Sequence, residues 1–267
     1  MKLIDIHSHV LPFIDDGAED WDMAMQMMRQ AEKDGIDSVV CTPHILSEKD
    51  FKNEAKIYDI FAGLRQKVTK KGISVNLELG SEIYVQPYID FKQKIATLAQ
   101  NGRYFLIEFP LNLTQDFLFR QFFDTLTENV VPVIAHPERY AYIQSKPERA
   151  YELVKKGALL QLNAGSLIGV FGQHIKELSF RLVDANLVHV IGSDAHDLKT
   201  RPLKLSYAYQ FVANRWGTEK ANEFFYLNPT RILAGEIIYV DPPVTFSAEN
   251  KSVKTKWGQF IRALRRD

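Results

Sequence analysis

The sequence predicts an α/β fold, a barrel of seven strand–helix units, on three observations. Short β-rich runs alternate with amphipathic helical patterns, no glycine-rich nucleotide turn follows the first run, and polar residues gather where the runs end. The runs are KLIDIHSH near the N-terminus, DSVVCTPH at 37–44, SVNLELGSEIY at 74–84, RYFLIEFP at 103–110, VPVIAHPER at 131–139, ALLQLNAGS at 158–166 and LVHVIGSDAH at 187–196. Repeated strand–helix–strand units imply a mainly parallel sheet. Seven of them suit a closed or nearly closed barrel better than a doubly wound sheet, because neither G-x-G-x-x-G nor a P-loop lysine motif occurs.

The first connection shows how the helices are read. In DWDMAMQMMRQAEKDG, Asp20 is placed to cap, Ala24, Met27, Met28 and Ala31 form one stripe, and Gly35 is placed to stop the helix. The methionines read as core rather than as a cofactor surface.

In a parallel barrel the carboxyl ends of all strands open onto one face. The first run ends in His7 and His9, the second in His44, the third in Glu82, the fourth in Glu108, the fifth in His136 and Arg139, and the seventh in Asp194 and His196. Strict alternation puts Leu3, Asp5, His7 and His9 on one face. Buried side by side without compensation, so many titratable groups would be prohibitively costly, and a polynuclear metal site removes that cost. Nitrogen and oxygen donors without thiolate favour manganese, iron or zinc, and such clusters generate hydroxide near neutral pH and offset charge on a phosphoryl or acyl centre.

Other polar residues read differently. His189 lies five residues before Asp194 and projects to the opposite face as a packed residue; His174, in GQHIKELSF, reads as surface. Asp5 either orients a ligand or satisfies the barrel interior, and Asn163 is second to the ligands or touches substrate. Cysteine phosphatases need an arginine six positions after the nucleophile; from Cys41 that position is Ser47, so Cys41 reads as core.

The bulk composition sets the class. The 267 residues are 46% hydrophobic and 25% charged with formal net charge +0, which gives no overall attraction to nucleic acid. One cysteine, no signal-like leader and no apolar run long enough to span a bilayer point to a cytoplasmic protein.

Taken as an ordered set, DIHSHVLPFIDDG, CTPH, GSEIY, LIEF, VIAHPERY, LNAGS and VHVIGSDAHDLKTRP resemble the manganese-dependent bacterial protein-tyrosine phosphatases of capsule and exopolysaccharide gene clusters (CpsB/YwqE type). These carry a polymerase-and-histidinol-phosphatase (PHP) domain, and the similarity runs from residue 3 to about 235, NPTRIL included. Amidohydrolases, which also begin with H-x-H, usually place a bridging lysine where this chain has Glu108. The resemblance implies a PHP-type distorted (β/α)7 barrel over residues 1–240. It implies metal ligands at His7, His9, Asp16, His44, Glu82, Glu108, His136, Asp194 and His196, with Asp16 favoured over Asp15, and three ions, manganese first, with iron or zinc as alternatives. Arg139 and Arg201 are the implied phosphate contacts, and His196 or a water the candidate general acid. The substrate implied is a phosphotyrosine protein, a membrane-associated tyrosine kinase that controls polysaccharide export. Rival functions are a phosphatase of small metabolites such as histidinol phosphate, a PHP phosphodiesterase, and a non-catalytic metal-stabilised binding module.

Residues 241–267 form a separate expected unit, a basic amphipathic tail. KSVKTKWGQFIRALRRD at 251–267 carries a formal +5, so residues 1–250 total −5, and Trp257, Phe260, Ile261 and Leu264 align as one helical stripe. That pattern suits a helix on an anionic surface, which would place the enzyme at the inner face of the membrane.

Overall fold

Parallel pairing orders the strands around a barrel, as the computed structural model shows for residues 2–86, 89, 91–114, 116–126, 129–239 and 241–245. The first strand, β1 (Leu3–Ser8), pairs with β2 (Ile36–Cys41), and β2 with β4 (Asn76–Leu79). The second sheet runs β3 (His44–Ile45), β5 (Glu82–Tyr84), β6 (Tyr104–Glu108), β7 (Val131–Ala135), β8 (Leu159–Asn163) and β9 (Val190–Gly192), with every pair parallel. Past the end of β9 the barrel closes on β1: the His9 N–H donates to the Ala195 carbonyl at 2.8 Å and the Asp194 N–H to the His7 carbonyl at 2.9 Å.

The second and third runs of the sequence are each two strands. Pro43 has no N–H to extend the ladder from β2 into β3, and between β4 and β5 the Ser81 hydroxyl donates instead to the Ile95 carbonyl. The turn at Gly80 lies so close to Leu98 that a Cβ there would sit 3.0 Å from the Leu98 Cα. The segment Lys94–Gln100, two 3₁₀ turns with Ala99 and Gln100 at positive φ, fills this side where an α-helix would otherwise cross.

The helix α1 (Trp21–Asp34) forms as its residues dictate. The Met23 N–H donates to the Asp20 carboxylate at 2.8 Å, Ala24, Met27, Met28 and Ala31 are buried, and Gly35 ends the helix at φ 81°. Its stripe joins the larger of two apolar clusters, which lies between strands and helices and takes Leu3, Val39, Cys41, Phe105, Ile107, Ile134, Leu160 and Leu162. The smaller cluster fills the barrel: Ile4, Ile6, Val40, Leu106, Val133, Ala135 and Val190, plugged from below by Ile232 of α11 (Asn228–Ala234).

Strict alternation along β1 does not hold. Ile4 and Ile6 face the interior, Leu3 faces the helices, and the register against β2 slips between Asp5 and Ser8. This bulge re-phases the strand, so His7 points inward next to Ile6 rather than sharing a face with Asp5. Asp5 stabilises the irregularity by accepting from the His7 and Ser193 N–H groups at 3.2 and 3.0 Å; buried, its carboxyl is pushed up to about 6.

His189 is buried on the side away from the site. Its Nδ1 accepts from the Leu160 N–H at 3.0 Å, and burial lowers its pKa to about 4. A histidine held neutral in the fold but free to protonate when unfolded stabilises fully above its unfolded pKa of about 6.5, and that stabilisation is lost as pH falls toward 4. Between pH 7 and pH 5, His189→Gln should therefore lose about 2 kcal/mol less stability than the parent in urea titrations. Equal losses in the two proteins would exclude the buried neutral imidazole.

Residues 241–245 remain on the barrel, where the Val244 N–H donates to the Ala185 carbonyl at 2.8 Å. The expected amphipathic stripe at 251–267 lies outside the described residues. Among the described residues no helix is long and apolar enough to cross a membrane.

Candidate metal centre

The strand ends bring together all nine residues expected to be ligands. Three overlapping sets of donors lie within 4.8 Å of one another: His9, Asp16, His44 and His196; His7, His9, Glu82 and Asp194; and His44, Glu82 and Glu108. His136 adjoins the last, its Nε2 3.2 Å from Glu82 and 3.6 Å from Glu108. Pairing explains part of the convergence, because His44 stands beside Glu82 across β3–β5 and Tyr84 beside Glu108 across β5–β6, all on the inner face. Two of the expected ligands need unusual backbone. Alternation from Ala135 would aim His136 outward, but φ of 32° turns it in, and Asp194 sits at φ 53°.

The imidazoles are fixed from behind. His7 Nδ1 lies 2.8 Å from Gln161 Oε1, and His9 Nδ1 lies 2.8 Å from Asp15. Those acceptors put each proton on Nδ1 and leave the two Nε2 lone pairs facing one another at 3.2 Å, beside the Glu82 carboxylate at 3.1 and 3.2 Å. Lone pairs and carboxylate oxygens converging in this way repel unless a cation stands among them. Burial alone would lower the His9 pKa, but Asp15 and Glu82 lift it to about 10, so a proton is drawn to the place that suits a metal ion. Donor separations of 3.1–3.7 Å match the edges of a coordination shell with metal–ligand lengths of about 2.1 Å. The Asp194 Oδ1, fully buried, has no hydrogen bond and faces His7, His9 and His196. The residues fit a metal cluster.

Asp16 and Asp15 divide the work of the paired aspartates. Asp16 is exposed and reaches His44 and His196 at 3.5 and 3.3 Å. Asp15 is turned back, accepting from the His44 and Gly17 N–H groups at 3.0 Å each as well as holding His9.

The second oxygen of Asp194 serves the other side of the mouth. It accepts from Asn163 at 2.6 Å and from Arg139 at 3.1 Å, and forms an ion pair with the Arg201 guanidinium at 2.5 Å. Burial opposes the charge on Asp194, but His7, His136 and Arg201 hold its carboxyl well below the usual range. Asn163 thus donates to a candidate ligand, Asp194. Arg139 stacks over Phe171 at 4.9 Å, and the Arg201 loop is wound around Asp197, whose carboxylate accepts from the Lys199 and Thr200 N–H groups at 2.6 Å. His174 is exposed and Cys41 is buried with its thiol pushed up by burial, as their sequence contexts suggest.

Two supports escaped the sequence reading. Gln161 shares strand parity with Asn163, a polar residue in an apolar run, and that signal was available. Glu138 of HPER is fully buried and accepts from Ser166 Oγ at 2.6 Å and the Asn163 N–H at 3.0 Å, with burial raising its carboxyl to about 7. Nothing in its spacing marks it.

Residues 3–234 match the family described as capsular polysaccharide synthesis, CpsB/CapC. The chain belongs to the CpsB/CapC family. It is 36% identical to the tyrosine-protein phosphatase YwqE of Bacillus subtilis over 245 residues, 90% of this chain and 95% of that protein. It is 30% identical to the tyrosine-protein phosphatase CpsB of Streptococcus pneumoniae, over 88% of this chain and 100% of that protein. A solved CpsB/YwqE-type structure, described as that of a metal-dependent tyrosine phosphatase, superposes with a TM-score of 0.82 at 35% identity, covering 92% of this chain and 100% of that one. The phosphotriesterase homology protein of Escherichia coli shares the barrel alone, with a TM-score of 0.52 at 11% identity, over 87% of this chain and 98% of that one.

Proposed function

We propose that the chain removes phosphate from phosphotyrosine in a protein, at the mouth where Asp194 joins the donor cluster to Arg139 and Arg201. The enzyme class is that of its family, a metal-dependent tyrosine-protein phosphatase. The observation that carries the finer reading is the division of Asp194, one oxygen toward imidazoles and the other toward two guanidinium groups. His7, His9, Asp16, His44, Glu82, Glu108, His136, Asp194 and His196 would hold the metal, read as three manganese ions with iron or zinc as alternatives. Bound there, such ions supply positive charge to phosphoryl oxygens and acidify water.

The chain's own residues do the rest. Arg139 and Arg201, poised on one carboxylate oxygen, present donors to a dianionic phosphate and fix its orientation. The stacking of Arg139 on Phe171 restricts the guanidinium plane. His196 gives its Nδ1 proton to the Asp194 carbonyl at 3.0 Å, and burial, with His9 and Arg201 nearby, lowers its pKa to about 4. A neutral imidazole so placed is a donor ligand and a poor source of a proton. Tyrosine's phenolate, with a reference pKa of about 10, leaves more easily than a serine alkoxide.

The substrate proposed from the resemblance is a membrane-associated tyrosine kinase that controls polysaccharide export, which suits a family described by capsular polysaccharide synthesis. Hydrolysis of a phosphotyrosine peptide should exceed that of a matched phosphoserine peptide, histidinol phosphate and a phosphodiester by at least about tenfold in kcat/KM. Faster turnover of histidinol phosphate would replace this reading with a metabolite phosphatase.

A further inference from the structure

We infer that Phe13 is the residue that receives the aromatic ring of the substrate, so that binding selection of phosphotyrosine over alkyl phosphates, beyond the easier departure of a phenolate, comes from one exposed, rigidly held side chain. The inference rests on the phosphatase reading above.

Phe13 stands at the tip of the loop between His9 and Gly17, three residues before Asp16, and is 50% exposed. The loop is pinned at both ends. The Ala18 N–H donates to the His9 carbonyl at 3.0 Å, the Phe13 N–H donates to the Ala18 carbonyl at 3.3 Å, and Asp15 ties the loop to His9 and His44. Gly17 lies directly against His9, since a Cβ there would fall 2.0 Å from the His9 carbonyl oxygen. The tip therefore keeps a fixed position relative to the donor cluster.

Phe13 holds φ of 66°, left-handed backbone that a bulky residue adopts only when the surroundings enforce it. Asparagine or glycine would meet that conformation with less strain, and either would also suit a solvated tip. A phenyl ring there is costly on both counts. The ring is supported from one side, edge-on to Trp21 at 6.0 Å, and Lys56 reaches its carbonyl at 3.4 Å. Half of it is left to the solvent at the rim.

A second apolar side chain stands on the loop beyond the neighbouring strand: Leu46, two residues after His44, is 59% exposed. A phosphoryl group held between Arg139, Arg201 and the donor cluster would direct its leaving group outward, and the loop that carries Asp16 and, three residues before it, Phe13 borders that way out. An aryl group would stack or pack edge-on against Phe13, whereas a short alkyl group would end before reaching it.

The test compares kcat/KM of the manganese-loaded full chain on phenyl phosphate and on glycerol phosphate, with metal content measured for each protein. Phe13→Ala should lower the aryl-over-alkyl ratio about tenfold, through KM, with metal content unchanged, and Phe13→Leu should fall between it and the parent. An unchanged ratio in Phe13→Ala, while the parent still prefers phenyl phosphate, overturns the role of Phe13 alone. Loss of metal in both variants also overturns it, making Phe13 a brace of the Asp16 loop. A parent with no aryl preference removes the phosphotyrosine reading and the inference together.

Discussion

Exhaustive chelation should abolish turnover of a phosphotyrosine peptide, by at least about a thousandfold, and manganese should restore it. The expected size follows from what remains without the metal: five imidazoles around Glu82, Asp16, Glu108 and Asp194, of which His7 and His9 draw protons from these carboxylate neighbours while burial keeps His44, His136 and His196 from charging. Two imidazolium groups offset by buried carboxylates offer a phosphate little of the concentrated charge that divalent ions bring. Cys41→Ser should keep most of the activity, because Cys41 is wholly buried in the layer between strands and helices. Metal analysis alongside the rate assay separates the cases. Full turnover in protein shown to be free of metal would end the metal-dependent account.

Arg201→Ala should keep its metal and lose about 2–4 kcal/mol of transition-state stabilisation, a fall of about 30-fold to 10³-fold in kcat. The guanidinium is one-quarter exposed, facing the mouth, and its Nε has no hydrogen bond, so it retains donors beyond the one engaged by Asp194. Removing it also takes an ion pair from the Asp194 carboxylate, but the hydrogen bonds from Asn163 and Arg139 remain to hold that oxygen. Metal content should therefore stay near that of the parent, whereas His136→Ala or Asp194→Ala should lose metal and rate together. If Arg201→Ala hydrolyses phosphotyrosine peptide at the parental rate, its role as a phosphate contact is wrong.

The ends of the strands were the most legible part of this molecule, and the irregular turns the least. These candidate ligands follow apolar runs, so the parallel barrel itself predicts that His44, Glu82, Glu108 and Asp194 meet. Helix α1 was readable down to its cap because Asp20, the apolar stripe and Gly35 each act locally. The bulge at Asp5–Ser8 was not readable, since nothing in LIDIHS breaks the alternation; the Ser193 N–H that completes it comes from the far end of the chain. His136 likewise turns inward on a backbone angle that its own residue type does not favour. Glu138 was hidden because burial and two partners from the β8–α7 region (α7 being Ala164–Ile168), rather than spacing, define it.

The seam between β9 and β1 has a consequence for how the protein comes to be active as it is made. The Asp5 carboxylate and the Ser193 N–H that join across it lie 188 residues apart in the chain. His7 and His9 therefore emerge from the ribosome first and wait for nearly all of the barrel before Asp194 and His196 can reach them. Contacts of such long range form late, because the intervening loop must first be closed. A nascent chain carries half a cluster, able to capture an ion loosely and unable to enclose it. With these residues as ligands, competence to bind metal tightly reports that synthesis has passed His196, and a chain stalled or clipped before Asp194 lacks two of the nine donors.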